Sequence, residues 1–279
     1  MRTLTLPAPA KFNLSLRVIG KREDGFHEID TLMVKLPALA DSVVFEEAAN
    51  FSFQCDDSTL PTDESNLVVK AIRAYEEASG LSCKFRISLE KVIPHGAGLG
   101  GGSSDAATTL LGIDQLHGDQ LGSKRLQEIA TTLGSDIPFF MKPGAARCTG
   151  RGEDISSIPS PSQLRVLLLK PSFGVSTPDA YIRWGDSREL PGLPYAAQEL
   201  DGVTLINDLE RPVFEKHRFL AEMKQWLLMR DECTASLLAG SGSTLFAILH
   251  EGASPEELAR AARHELDPGL WHWTGTTEG

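Results

Sequence analysis

A chain of 279 residues can bury a sizeable core, in one large or two modest domains. Its 38 Asp and Glu against 27 Lys and Arg leave a formal net charge of -11, which argues against nucleic acid or an anionic membrane as the main partner. With 41% hydrophobic residues, no apolar run near the ~20 that a bilayer requires, and no signal-peptide core behind Met1, the expectation is a cytoplasmic globular protein.

From the N-terminus, Phe12, Leu14, Leu16 and Val18 alternate with Lys11, Asn13, Ser15 and Arg17. This is the signature of a strand whose polar face carries Lys11 and Asn13 together. Taken alone, that face reads as the solvated side of an edge strand. Gly20 to Gly25 forms a polar turn, and Phe26-His27 opens a hairpin return through Ile29 to Leu36. Shorter strands are expected at Ser42 to Glu46 and Phe51 to Gln54. Asn66 caps a helix with Leu67, Val68, Ala71, Ile72 and Tyr75 on one face and Gly80 at its end.

The stretch Pro94-His95-Gly96-Ala97-Gly98-Leu99-Gly100-Gly101-Gly102-Ser103-Ser104 places five glycines in seven positions between Gly96 and Gly102. It follows an alternating strand, Phe85 to Lys91, and precedes a helical run containing Ala106, Ala107, Leu110, Leu111 and Leu116, with Ser103 or Ser104 placed to cap it. Glycines remove the side chains that keep a ligand from the backbone, and a helix N-terminus offers unpaired N–H groups and about half a positive charge. Strand, glycine loop and helix together make a phosphate cradle. A Walker loop is excluded, since no Gly-Lys-Ser/Thr follows. Gly96, Gly98 and Gly101 satisfy the dinucleotide-binding spacing, but a second helix, Lys124 to Leu133, stands where a strand is required.

Gly134 ends that helix, Ser135 or Asp136 caps the next, and Pro138 sits in its first turn. Gly144 to Gly152 reads as a short strand and turn, and Ile158 to Ser162 as a domain boundary. A continuous apolar strand, Leu164 to Leu169, is followed by a short helix from Pro178 that contains Tyr181, and by a long surface loop from Gly185 to Gly202. Helices at Pro212 to His217 and Phe219 to Arg230 precede strands at Ala235 to Ala239 and Thr244 to Leu249, which flank Gly240-Ser241-Gly242-Ser243. A helix from Pro255 to Leu266 and a strand from Leu270 to Thr274 complete an α+β sandwich. Cys55, Cys83, Cys148 and Cys233 show neither a C-x-x-C pair nor zinc spacing, as expected of reduced thiols.

Pro9-Ala10-Lys11-Phe12-Asn13-Leu14, the glycine stretch from Pro94 to Ala107, and Gly240-Ser241-Gly242-Ser243 fall in the order of the GHMP kinase superfamily, which they resemble. Within it, Gly20 to Glu28, Gly98 to Ser104 and Leu133 to Pro138 are similar to the branch that phosphorylates 4-diphosphocytidyl-2-C-methyl-D-erythritol in non-mevalonate isoprenoid synthesis. The resemblance implies a two-domain α+β fold. Residues 1–155 would form a ribosomal-S5-domain-2-like domain with the ATP loop, and residues 156–279 a ferredoxin-like α/β sandwich. It further implies ATP as the magnesium complex, a cytidine diphosphate methylerythritol acceptor, no nucleic acid or membrane partner, and a monomer or homodimer.

Residue roles also follow from the resemblance. Asp136 would accept the proton of the acceptor hydroxyl, and Lys11 would hold that carboxylate ionised and steady the developing alkoxide. Asn13 would contact the acceptor near the point of transfer. Phe26 and Tyr181 would stack on cytosine while His27 reads its edge, although tyrosine more commonly stands where Phe26 does. Asn66 and Lys91 match positions near adenine and the phosphates, alongside Pro94 to Ser104, and Gly240 and Ser241 match the third motif. Asp105 either supports the helix dipole or assists magnesium, whose ligands are otherwise unassigned. The alternatives are another GHMP kinase, acting on homoserine, mevalonate or a sugar, and a catalytically silent nucleotide-binding homologue.

Overall fold

The computed structural model describes residues 2–277. A long strand β1 (Thr3–Lys21) turns into β2 (His27–Glu47), and β3 (Ser52–Cys55), α1 (Leu67–Ser79) and β4 (Phe85–Glu90) follow. Three helices come next: α2 (Gly101–Leu116), α3 (Gly122–Leu133) and the single turn α4 (Ile137–Phe140). After β5 (Ala145–Thr149), β6 (Asp154–Ile158) and β7 (Arg165–Lys170), the chain forms α5 (Thr177–Trp184), β8 (Gln198–Leu200) and β9 (Val203–Asn207). It ends with α6 (Glu210–Lys216), α7 (Arg218–Leu228), β10 (Cys233–Leu238), β11 (Leu245–Leu249), α8 (Pro255–Glu265) and β12 (Trp271–Thr276).

Two compact units emerge, each drawn from three pieces of chain. One comprises Met1–Ala10, Leu39–Pro94 and Gly100–Pro143. There the second half of β2 pairs antiparallel with β4, from Ser42 opposite Glu90 to Glu47 opposite Phe85, and β3 runs parallel to β4 on its other edge. The parallel pair is joined by α1, which starts at Asn66 as expected: the Asn66 Oδ1 accepts the Val68 N–H, and Gly80 closes the helix at φ 71°. Helices α1, α2 and α3 pack on one another, burying Ile72, Tyr75, Leu110, Ile113 and Ile129. At Gly112 α2 comes so near the sheet that a Cβ would meet the Phe45 ring at 2.5 Å, so only glycine fits.

The other unit comprises Lys11–Ala38, His95–Leu99 and Gly144–Gly279. Its four-stranded antiparallel sheet has the order β10-β11-β7-β12. Leu167, Leu169, Leu245 and Ala247 on that sheet share a core with Phe214, Leu220, Met223, Leu227 and Leu258 from α6, α7 and α8. The middle of β1 runs parallel to β9, with Leu16 opposite Asn207, and the first half of β2 carries β5 and then β6. Among the described residues no helix is long and apolar enough to cross a membrane.

Three expectations change. Ile29–Leu36 and Ser42–Glu46 are one strand, because Pro37 to Asp41 stay extended with Leu39 and Asp41 buried. The loop expected over 185–202 closes earlier, at β8. Asp201 and Gly202, at φ 49° and 79°, make the two-residue turn that joins β8 to β9, and the Asp-Gly dipeptide is the signal for it. The polar face of β1 is not solvated: Lys11 and Asn13 are 4% and 3% exposed.

Candidate active site

The N-terminus of α2 is built by glycine. Gly100 is its N-cap at φ 71°, a left-handed conformation that other residues rarely adopt. The first bond of the helix runs from the Ser104 N–H to the Gly100 carbonyl at 2.9 Å. The helix itself therefore gives the Gly101, Gly102 and Ser103 N–H groups no acceptor, and no side chain caps them. Ser103 and Ser104 are not the cap expected of them, since the helix begins two residues earlier and both lie inside its first turn. Such an end presents donors and a positive dipole to an anion.

Beside it, Lys91 is no solvated strand-end lysine. Its ammonium is buried between Asp41 and Asp105, 2.8 Å from the latter. Asp41 also accepts the Val92 and Ile93 N–H groups at 2.6 and 2.8 Å. Burial pushes the Asp105 carboxyl above the usual carboxylate range, Lys91 opposing the shift and Asp41 adding to it. Burial acts against the Lys91 charge, but Asp105 and Asp41 together hold its ammonium above the ordinary value. One cation thus faces two carboxylates. The raised Asp105 carboxyl is the one of the two poised to take up a proton, and its Oδ1 has no hydrogen-bond partner among the described residues, as is true of the Ser104 Oγ. The side chain of Asn66 caps α1 and donates to the Pro61 carbonyl at 2.7 Å.

Asp136 precedes α4 with helical backbone angles and makes no capping hydrogen bond to that helix, so capping is not what its carboxylate does.

The first part of the glycine stretch belongs to the other unit. Gly98, at φ 78°, lies against the third glycine motif, where a Cβ would sit 2.0 Å from the Ala239 carbonyl oxygen and 3.0 Å from that of Gly242. The Thr244 N–H donates to the Ala97 carbonyl at 3.2 Å, and the Lys11 N–H to that of Leu99 at 2.9 Å. Backbone packs directly on backbone here. The segment from Ala97 to Leu99 and the Gly240–Ser243 turn, far apart in sequence, therefore pack on each other within this unit. His95 is exposed and Pro94 half-buried, while Ala97 and Leu99 are buried.

Polar order continues along β1. The Lys11 Nζ donates to the Asn13 Oδ1 at 3.0 Å, the Asn13 Nδ2 to the Thr31 Oγ1 at 2.7 Å, and the Thr31 hydroxyl to the Ser15 carbonyl at 2.6 Å. Buried polar groups at this density are costly unless bonded, and this chain of bonds fixes the direction of Asn13. Gly240, at φ 56°, sits where a Cβ would meet the Asn13 Oδ1 at 3.4 Å. Its carbonyl accepts the Asn207 Nδ2 at 2.7 Å. The Ser241 hydroxyl is 2.7 Å from that of Thr177, at the start of α5.

Tyr181, one turn along α5, stacks on His27 with ring centroids 5.3 Å apart, and Trp184 meets His27 edge-on at 6.0 Å. Burial lowers the His27 pKa and Lys21 lowers it further, which favours the neutral imidazole with one donor and one acceptor nitrogen. Phe26 stands 52% exposed beside it.

Thr31, Asp41, Thr177 and Asn207 were not legible as site residues. Each looks like an ordinary polar residue in its own segment, and its partner lies far along the chain.

The model of the GHMP kinases N terminal domain matches residues 66–144, and that of the GHMP kinases C terminal domain matches residues 195–267. A 4-diphosphocytidyl-2-C-methyl-D-erythritol kinase of Protochlamydia amoebophila (strain UWE25) is 38% identical over 278 residues, covering 99% of this chain and 94% of the relative. A crystal structure of 4-(cytidine 5'-diphospho)-2C-methyl-D-erythritol kinase superposes with a TM-score of 0.78 at 35% identity, covering 99% of this chain and all of the other. A homoserine kinase from Cytophaga hutchinsonii shares the fold at a TM-score of 0.70 and 19% identity, covering 100% of this chain and 95% of that one. With the two-domain mixed α/β fold, the glycine-opened helix and relatives of this similarity over nearly the whole length, the chain belongs to the 4-diphosphocytidyl-2-C-methyl-D-erythritol kinase family of GHMP kinases, which are ATP-dependent small-molecule kinases.

Proposed function

We propose that this chain transfers the γ-phosphoryl group of ATP to the 2-hydroxyl of 4-diphosphocytidyl-2-C-methyl-D-erythritol, in the cytoplasm, as a step of non-mevalonate isoprenoid precursor synthesis. The single observation that carries the choice of acceptor is the ring cluster of Phe26, His27 and Tyr181. An exposed phenyl ring and a neutral imidazole suit a flat base with hydrogen-bonding edges, and have no use for homoserine or mevalonate.

Phosphoryl transfer asks mainly for positioning and charge stabilisation. The uncapped N–H groups of Gly101, Gly102 and Ser103 would take phosphate oxygens. Asp136 would take the hydroxyl proton as the O–P bond forms, and the Lys11 ammonium would offset the negative charge that develops. Asn13, fixed by Thr31, would orient the acceptor, and Gly240 and Ser241 would approach it from the third motif.

Magnesium would arrive on the triphosphate. Among the described residues no cluster of three or more His, Cys, Asp or Glu side chains is arranged to hold a metal ion, which suits an ion held chiefly by phosphate oxygens. When bound, it would neutralise charge on the transferred group.

An acceptor panel tests the reading. ADP release is measured with the cytidylylated methylerythritol, with 2-C-methyl-D-erythritol 4-phosphate, with homoserine and with mevalonate. Turnover of the first alone is expected. Turnover of homoserine or mevalonate in its place would overturn the assignment of the acceptor.

A further inference from the structure

A large apolar ring standing in water is free to change rotamer, and that freedom must be given up when a base stacks on it. Phe26 is such a ring, yet its surroundings remove much of the freedom in advance. Its N–H donates to the Asp24 Oδ1 at 3.1 Å and its carbonyl accepts the Arg22 N–H at 2.8 Å, so the backbone is fixed on both sides. One face of the ring is covered by Arg151, whose Cζ lies 4.9 Å from the ring centroid.

Arg151 is itself held. Its N–H donates to the Glu153 Oε2 at 2.5 Å and its Nε to the Oε1 at 3.1 Å. The tight turn that carries it is fastened to β2 by the Ile29 N–H, which donates to the Gly150 carbonyl at 2.8 Å. Guanidinium and phenyl ring therefore stand on two segments locked to each other three residues from the ring. A planar cation over a ring face is attracted by the π-electrons, and it stacks where an ammonium cannot.

We propose that Arg151 is a positioning residue for the base-binding end of the acceptor: its guanidinium covers one face of the Phe26 ring, holds that ring in place and leaves the opposite face for a single nucleobase. This rests on the reading of Phe26 as a stacking surface. It goes further by assigning the orientation of the ring to a residue outside every motif of the chain.

The test compares Arg151→Ala, Arg151→Lys, Phe26→Ala and the Phe26→Ala/Arg151→Ala double variant. Readouts are KM for both substrates, together with calorimetric binding of cytidine and of cytidine 5'-diphosphate. Arg151→Ala should raise the acceptor KM by about 2- to 5-fold and leave KM for ATP alone. Arg151→Lys should not restore it, because the stacking plane is lost. Cytidine and its diphosphate should weaken by the same factor, and in the Phe26→Ala background the arginine change should add nothing.

Weakening of the diphosphate alone would mean that Arg151 binds phosphate, and would overturn the proposal. So would an effect of Phe26→Ala with none from Arg151→Ala, or equal changes in both KM values with a lowered melting temperature. If Phe26→Ala also leaves the acceptor KM unchanged, the stacking role of Phe26 falls with it.

Discussion

Asp136→Asn is expected to lower kcat by about 10²- to 10⁴-fold, the usual range for loss of a positioned base. KM for ATP and the melting temperature should stay close to those of the parent chain. The substitution keeps the shape of the side chain and removes its negative charge, and with that its capacity to take a proton. Because Asp136 makes no capping bond to α4, and Asn is itself a good N-cap residue, no stability change is expected from the helix end. A fall in kcat without a rise in KM is the pattern of an interaction made only in the transition state. Steady-state kinetics beside thermal melts check it. Full rate in the Asn variant would remove Asp136 from the proton-accepting role and leave the acceptor assignment untouched.

Lys91→Met should cost about 3–5 kcal/mol of stability, the effect of removing one partner from a buried ion pair. Methionine fills the space but leaves Asp41 and Asp105 facing each other without a cation. Asp41 keeps the Val92 and Ile93 N–H groups, whereas Asp105 loses the Lys91 ammonium that donates to its Oδ2. Asp105 would therefore hold its proton in the folded variant to still higher pH, while the unfolded chain releases it around the ordinary value of 3.8. Between those two values the folded state binds more protons than the unfolded one, so stability falls as pH rises. The deficit of Lys91→Met should be smaller at pH 5 than at pH 8, and Asp105→Asn in the same chain should restore part of it. Urea denaturation at the two pH values measures this. A loss independent of pH would show that packing, not charge, is what Lys91 supplies.

The same triad shows where sequence reasoning stopped. The glycine stretch, the helix after it and the Asn66 cap were legible because each is a local pattern: alternation, periodicity or a capping residue at the right offset. Asp41 was not. It looks like a polar residue interrupting an apolar segment, and its partners at Lys91 and Asp105 are 50 and 64 positions away along the chain. Lys11 and Asn13 show the same limit from the other side. Alternation put them on one face of β1 correctly, but burial of that face depends on elements far along the chain, which periodicity in one segment does not report. The start of α2 was missed for a different reason. Gly100 caps through its left-handed backbone, and a search for side-chain caps overlooks that and settles on Ser103 or Ser104.

The need for glycine at Gly98 is partly local, since its φ of 78° already disfavours other residues, and partly non-local, since the Ala239 carbonyl, from far along the chain, leaves no room for a Cβ.

The most direct measurement is the structure of the product. Phosphorus and carbon NMR of the material formed from ATP and 4-diphosphocytidyl-2-C-methyl-D-erythritol should show one new phosphomonoester, coupled to the methyl-bearing tertiary carbon, with one ADP formed per ester. ADP formed without a new ester, or an ester on any other hydroxyl, would contradict the account.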